Sequence, residues 1–355
     1  MNDLSTQPFQ LSIDNVTVGY DSTVIVHNAS FQLQHGQIGC LLGPSGCGKS
    51  TLLRAIAGFE PVLNGCIRME EHTISDKNTL LTPEQRQIGL VFQDLALFPH
   101  LTIAENIEFG IQKWPKADRQ ARTKQLLKLV ELSGMENRYP HSLSGGQQQR
   151  IALARTIAPK PKLLLLDEPF SGLDAAMREE LLPDVRDILV QEKMSAILVT
   201  HDQMEAFAMA DTVAVMNQGK IIQCDTPFNI YHKPNSRFIG NFIGKGDYLP
   251  GEIIDSQSVN SPLGILKTEK PHQFKANQRV EILIRPDDVL HNDDSELLAK
   301  IIEKQFRGSH FLYRVKLTSG HLLYCFASSH HDHAIGESIG IIIDLDHIVM
   351  FEETA

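Results

Sequence analysis

The segment Gly43-Pro44-Ser45-Gly46-Cys47-Gly48-Lys49-Ser50 constrains this chain more than any other, because it has the G-x-x-x-x-G-K-S spacing of a phosphate-binding loop. It occurs once. The apolar run QIGCLL precedes it and the helix-compatible KSTLLRAIA, which carries Thr51, follows it, so the context is strand, loop, helix. Glycines let the backbone wrap an anion, amides at the helix start donate to its oxygens, Lys49 supplies charge and Ser50 offers a hydroxyl to Mg²⁺. Gly43 through Thr51 are therefore the expected phosphate-binding set. Cys47 lies beside a helix start and Lys49, surroundings expected to favour its thiolate.

From Leu11 to Thr200, short β-rich runs (LSIDNVTV, QIGCLL, IGLVF, KLLLLD, SAILVT) alternate with helical stretches, the pattern of an α/β domain on a largely parallel sheet. Between about residues 94 and 158 the pattern turns helical, with Leu126, Leu127, Val130 and Leu132 at helix spacing, and reads as a helical insertion. TVAVMNQGKII, with Gly219 at its turn, predicts a strand pair, and Pro227 to His232 a short helix. Beyond the glycine-bearing IGNFIGKGDY, five runs (GEIID, VEILIRP, FLYRVKL, HLLYCFA, IGIIID) alternate with turn residues and predict a small all-β, OB-like barrel. The expected domains are thus 1–246 and 247–355, a division that suits 355 residues.

Four leucines, Leu163 to Leu166, end in Asp167 and Glu168. That places two carboxylates at the carboxyl edge of a buried strand, where open α/β sheets bind ligands. Alone the pair would read as a loop start or helix cap; with the phosphate loop upstream it predicts an NTPase. Asp167 would hold the Mg²⁺ shell and Glu168 would polarise the attacking water as general base.

Leu143-Ser144-Gly145-Gly146-Gln147 resembles the signature sequence of ABC ATPases. Ser144 and the glycines precede a helix, so their amides form a second anion site suited to a γ-phosphate. The resemblance extends along the chain. Tyr20 looks like the aromatic that stacks on adenine, and Gln93 in VFQD like the loop glutamine that senses magnesium and permease. Ser171-Gly172-Leu173-Asp174 looks like the loop that crosses the dimer, with Gly172 where alanine is common. His201, directly after SAILVT, looks like the switch histidine that contacts the γ-phosphate and the attacking water. In the family the signature of one subunit faces the phosphate loop of another, which implies a homodimer holding two ATP molecules with Mg²⁺. Ile284-Arg285-Pro286-Asp287 is similar to the IRPE element of the accessory, TOBE-like barrel in importer ATPases. One motor, no membrane helix and a barrel tail imply an importer subunit working with two permease subunits and, indirectly, a periplasmic solute-binding protein.

Composition agrees with that reading. No apolar run approaches the roughly 20 residues needed to cross a bilayer. MNDLSTQPFQ has neither the basic nor the apolar stretch of a secretory signal. The expected location is the cytoplasmic face of the inner membrane, reached through the permease. Five scattered cysteines argue against disulfides and zinc motifs. The net charge of −10 and sparse aromatics argue against nucleic acid and so against a soluble ABC ATPase acting on nucleic acid or the ribosome. GPSGCGKSTLLRAIAGFE, RYPHSLSGGQQQRIALAR and FIGKGDYLPG look most like ferric-iron importers, with polyamine, sulfate or molybdate and sugar importers as relatives. His330, His331, Asp332 and His333 read as an exposed polar loop, and imidazole is a poor ligand for hard Fe³⁺.

Overall fold

The computed structural model describes residues 9–21, 23–345 and 347–353. It divides into two compact units, Met1–Pro227 and Phe228–Ala355.

In the first unit, β1 (Leu11–Tyr20) and β2 (Thr23–Leu33) form a hairpin whose Leu11, Ile13, Val16 and Val18 are buried at near-alternate positions, the period of a half-buried strand. β3 (Ile38–Leu42) is buried along its whole length, as a strand covered on both faces must be. It leads through the phosphate loop into α1 (Lys49–Ala57). β4 (Asn64–Met69) and β5 (His72–Asp76) return to the hairpin and give an antiparallel sheet in the order β2-β1-β4-β5.

β6 (Ile88–Val91) then enters the central sheet. α2 (Ile103–Glu108), α3 (Lys116–Leu129) and α4 (Gly145–Ile157) make up the expected helical insertion. The chain continues as β7 (Leu163–Asp167), α5 (Ala175–Gln191), β8 (Ser195–Thr200), α6 (Gln203–Met209), β9 (Thr212–Asn217) and β10 (Lys220–Asp225). The central order is β10-β9-β3-β8-β7-β6, parallel from β6 to β9 with β10 turned back at Gln218 and Gly219, both at positive φ. α1 packs between the two sheets, its Leu52, Leu53 and Ile56 sharing one core with the hairpin and with Leu163, Leu165, Ile197 and Val199. Buried Arg86 donates to the carbonyls of Ala55 and Ile56 (both 2.8 Å) and of Leu81 (2.9 Å), which ties down the end of α1. Burial holds its pKa down at about 10, so it stays charged.

The second unit opens with helices α7 (Pro227–His232) and α8 (Arg237–Phe242). The sequence reading ends the first domain after residue 246, yet these helices cohere with the β-structure beyond them. Arg285 explains why: its guanidinium donates to the carbonyls of Gly240 (3.0 Å), Lys245 (3.2 Å) and Tyr231 (3.3 Å) and stacks on the Tyr231 ring, whose hydroxyl donates to Asp287 (2.6 Å). Arg285-Pro286-Asp287 is thus a bracket that gathers the helices onto the strands.

There, β11 (Asp247–Asp255), β12 (Ser258–Ser261), β13 (Gly264–Lys267) and β14 (Arg279–Ile284) are followed by β15 (Val289–His291), β16 (Leu298–Phe306), β17 (His310–Leu317), β18 (Leu322–Ser328), β19 (Ser338–Ile343) and β20 (Val349–Glu352). The barrel forms, closed as β15-β18-β17-β16-β19, but it is joined by a five-stranded sheet, β13-β12-β11-β14-β20, that the sequence reading did not separate. The two share one core around Ile282, Ile301, Tyr313 and Ile341, so their apolar patterns do not distinguish them.

Candidate nucleotide-binding site

Because β3, β6, β7 and β8 run parallel, the loops that leave their carboxyl ends emerge along one edge of the sheet. Those loops carry the phosphate loop, Gln93, the Asp167-Glu168 pair and His201. The spatial order β3-β8-β7 puts β8 in the middle, so the His201 loop leaves the sheet between the phosphate loop and the acidic pair.

The phosphate loop is shaped by close approaches. A Cβ on Gly43 would lie 2.3 Å from the Met216 carbonyl, and Gly48, at φ 103°, caps α1 against Ile25 on β2. The same β2 begins at Thr23, paired with Tyr20, so the hairpin end that carries Tyr20, 39% exposed, adjoins this loop. Lys49 is 4% exposed, and its ammonium donates to the carbonyls of Gly43 (2.8 Å) and Pro44 (3.1 Å). Ser45, Gly46 and Ser50 stay exposed, facing outward where a phosphate chain can lie.

Ser50 Oγ donates to Asp167 Oδ1 at 3.1 Å, across 117 positions of sequence. Burial pushes the Asp167 carboxyl up, the Ser50 bond opposes this and the charge of Glu168 adds to it. A cation held at these oxygens would therefore favour the ionised form. A hydroxyl and a carboxylate side by side are hard oxygen donors of the kind Mg²⁺ takes, so the pair fits that ion. Glu168 sits at φ 45°, a strained conformation held by its N–H to the Val199 carbonyl (2.9 Å) and by Ser171, whose hydroxyl donates to the Glu168 carbonyl (3.0 Å). The turn aims its carboxylate at His201, with Nδ1 3.4 Å from Oε2. Four buried leucines on β7, each worth about 1.5–3 kcal/mol over exposure, hold the strand that presents both acids.

Ser144 caps α4 by accepting from Gln147 N (3.3 Å), and Gln147 returns the contact at Ser144 N (3.1 Å), so the signature residues form a capping box. Leu143 is buried beneath it. Gly145 and Gly146 face Leu173 and Met177 so closely that added Cβ atoms would lie 3.4 and 3.3 Å from those side chains. The signature turn and the loop Ser171-Gly172-Leu173-Asp174 therefore pack on each other, and Asp174 caps α5 by accepting from Met177 N (2.9 Å).

Residues 26–171 match the ABC transporter family and residues 282–351 the TOBE domain. The Fe(3+) ions import ATP-binding protein FbpC 2 of Haemophilus influenzae is 40% identical over 321 residues, covering 90% of this chain and 89% of that protein. The spermidine/putrescine import ATP-binding protein PotA of Clostridium acetobutylicum is 37% identical over 345 residues, 95% of each. The chain belongs to the ATP-binding subunits of ABC importers. Among solved structures, cbiO1 of Clostridium perfringens, part of the ABC transporter complex cbiONQ, superposes with a TM-score of 0.58 at 26% identity over 63% of this chain and 91% of that one.

As an ABC import ATPase, the subunit binds ATP and hydrolyses it to drive transport. Two arginines that the sequence reading passed over connect its motifs. Arg178 on α5 donates to the Leu173 carbonyl (3.2 Å) and pairs with Asp202, the residue after His201, as well as with buried Glu205 (3.5 Å). Arg155 on α4 donates to the carbonyls of Leu95 and Ala96, both at positive φ just beyond Gln93. Each is a single basic residue in an ordinary helix, with no signal in one sequence. Gln93 itself is exposed.

One expectation is corrected. Cys47 is 5% exposed, and burial raises its pKa by more than Lys49 and the loop amides lower it. It packs 2.8 Å from where a Gly43 Cβ would stand and is a structural thiol. Burial of its thiol raises the Cys224 pKa too, so accessibility separates the two: alkylation with iodoacetamide is expected to modify exposed Cys224 slowly and to leave Cys47 nearly untouched, with or without Mg-ATP. Peptide mass spectrometry checks this; rapid labelling of Cys47 that ATP blocks would restore the thiolate reading.

Proposed function

We propose that this subunit powers ferric-iron import, with Glu168 as general base for water attack on the γ-phosphate and His201 as the group that orients that water and contacts the phosphate. The single observation that carries the chemical half is the Glu168–His201 contact of 3.4 Å at the sheet edge that also presents Lys49 and Ser50. Ser50 and Asp167, with Gln93, are the residues for Mg²⁺, which when bound neutralises phosphate charge. Lys49 turns its ammonium from the loop carbonyls to phosphate oxygens, while the amides of Gly43 to Thr51 cradle them. Tyr20 stacks on the base.

The signature Leu143 to Gln147 opens α4 with Ser144 and Gly145 exposed at the helix start, where a second nucleotide-bearing surface can close on them, so we assign the active form to a homodimer in which each signature closes on the other copy's ATP. Ser171 to Asp174, packed under the signature, lines that interface. No helix among the described residues is long and apolar enough to cross a membrane, so passage of the solute falls to permease subunits on whose cytoplasmic face the dimer sits. A periplasmic solute-binding protein supplies the cargo.

Relatives named for ferric iron support the cargo at 37 to 40% identity. A second reading, polyamine import, is favoured by relatives named for spermidine, putrescine or both at 37 to 40%. Deleting the subunit in its parent organism and measuring uptake of labelled iron, spermidine, sulfate and maltose separates them. The expected result is lost iron uptake, restored by the wild type and not by Glu168→Gln. Intact iron uptake beside lost spermidine uptake would move the assignment to polyamines.

A further inference from the structure

The tract His330 to His333, expected to be one exposed loop, divides on the barrel. His330 and Asp332 are exposed, whereas His331 and His333 are half-buried and meet His291, which ends β15. One ring nitrogen from each of these three lies within 4.8 Å of the others. His291 Nε2 stands 3.1 Å from His333 Nε2 and also 3.1 Å from Asp293 Oδ1. A single ring N–H can serve only one of them well. Tetrahedral bonds of about 2.0–2.1 Å place neighbouring donor atoms roughly 3.3 Å apart, close to both separations.

The surroundings hold this arrangement. His333 Nδ1 bonds Glu337 Oε1 (2.9 Å), and the other carboxylate oxygen accepts from Ala334 N (2.8 Å). With its Nδ1–H donating to the Glu337 carboxylate, His333 turns a lone pair at Nε2 toward His291, the carboxylate–histidine arrangement that orients metal ligands. The fully buried Tyr313 straps the loop, donating to the His331 carbonyl (2.7 Å) and accepting from His333 N (3.0 Å). Lys304 donates to the His333 carbonyl (3.0 Å).

We propose that His291, His331 and His333, with Asp293 as the fourth ligand, bind one Zn²⁺ ion on the C-terminal barrel. Three imidazoles and a carboxylate suit a borderline divalent metal and not hard Fe³⁺, so the site is distinct from any iron cargo and stands whichever solute is carried. It joins β15 to the loop between β18 and β19, elements that meet only through the fold.

The test uses tag-free full-length protein, titrated with ZnCl₂ in competition with a chromophoric chelator, and CoCl₂ as a spectroscopic stand-in. The expected result is one equivalent per chain, with the intense visible bands of tetrahedral Co²⁺. His333→Ala and Asp293→Asn should lose or weaken it, Glu337→Gln should weaken it by about 10–100-fold, and His330→Ala should leave it unchanged. Asp293 is exposed, so its replacement disturbs no packing, and an unchanged far-UV circular dichroism spectrum and unfolding midpoint of the C-terminal unit in zinc-free buffer certify the fold of each variant. Binding in His333→Ala equal to wild type, equal loss in His330→Ala, or only weak octahedral Co²⁺ bands would each overturn the site.

Discussion

Glu168→Gln lowers steady-state ATP turnover by about 10²–10⁴-fold, the usual contribution of a positioned general base, while ATP binding persists. The amide keeps the size of the side chain and can still approach His201 Nδ1, which lies 3.4 Å from the carboxylate, but it cannot accept the proton that water gives up. The backbone is indifferent to the change, because the positive φ at Glu168 is held by main-chain contacts to Val199 and by Ser171. Bound ATP should therefore accumulate, and with it a dimer visible by light scattering only when Mg-ATP is present. Phosphate release, nucleotide binding and light scattering on the same preparations make the check. Wild-type turnover would remove Glu168 from the chemistry, and loss of ATP binding would make it a structural residue.

Gly43→Ala has the second large effect, and for a steric reason. Its Cβ would stand 2.3 Å from the Met216 carbonyl on β9 and 2.8 Å from Cys47 Sγ, and the first of these is backbone that cannot rotate away. Overpacking of this kind costs about 1–3 kcal/mol, occasionally more. Relief would require the loop to lift from β9, which also disconnects Lys49 from the Gly43 carbonyl. The expected result is a lowered unfolding midpoint together with loss of the stabilisation that Mg-ATP gives the wild type. Gly172→Ala is the matched control: nothing lies within 4 Å of its added Cβ and its φ is not positive, so stability should rise by about 0.4–1 kcal/mol. Thermal melts with and without nucleotide compare the two, and a Gly43→Ala protein that binds ATP normally would contradict the loop geometry.

Much of the fold is legible in one chain. The strands QIGCLL, KLLLLD and SAILVT announce themselves by continuous apolar runs, since a parallel strand buried on both faces has no polar side to show. β4, β5, β12 and β13 are harder, being short, mixed in polarity and antiparallel at or near sheet edges, where one face meets water and the alternation is too brief to separate from a loop. Cys47 misleads because its neighbours in sequence, Lys49 and the helix start, suggest an electropositive pocket, whereas burial is set by residues as distant as Met216.

Local chemistry therefore determined which residues could bind phosphate, cap a signature helix or end a buried strand in carboxylates, since those properties reside in a few consecutive side chains and their backbone. Relations between segments were decided by the tertiary structure alone. The β3-β8-β7 order brings Ser50 to Asp167, Arg178 ties the Leu173 loop to Asp202, and barrel closure carries His291 to His331 and His333. Arg178 and Asp202 are 24 positions apart and Ser50 and Asp167 are 117 apart, and their proximity is a consequence of burying whole sheets, which no spacing along a single sequence encodes.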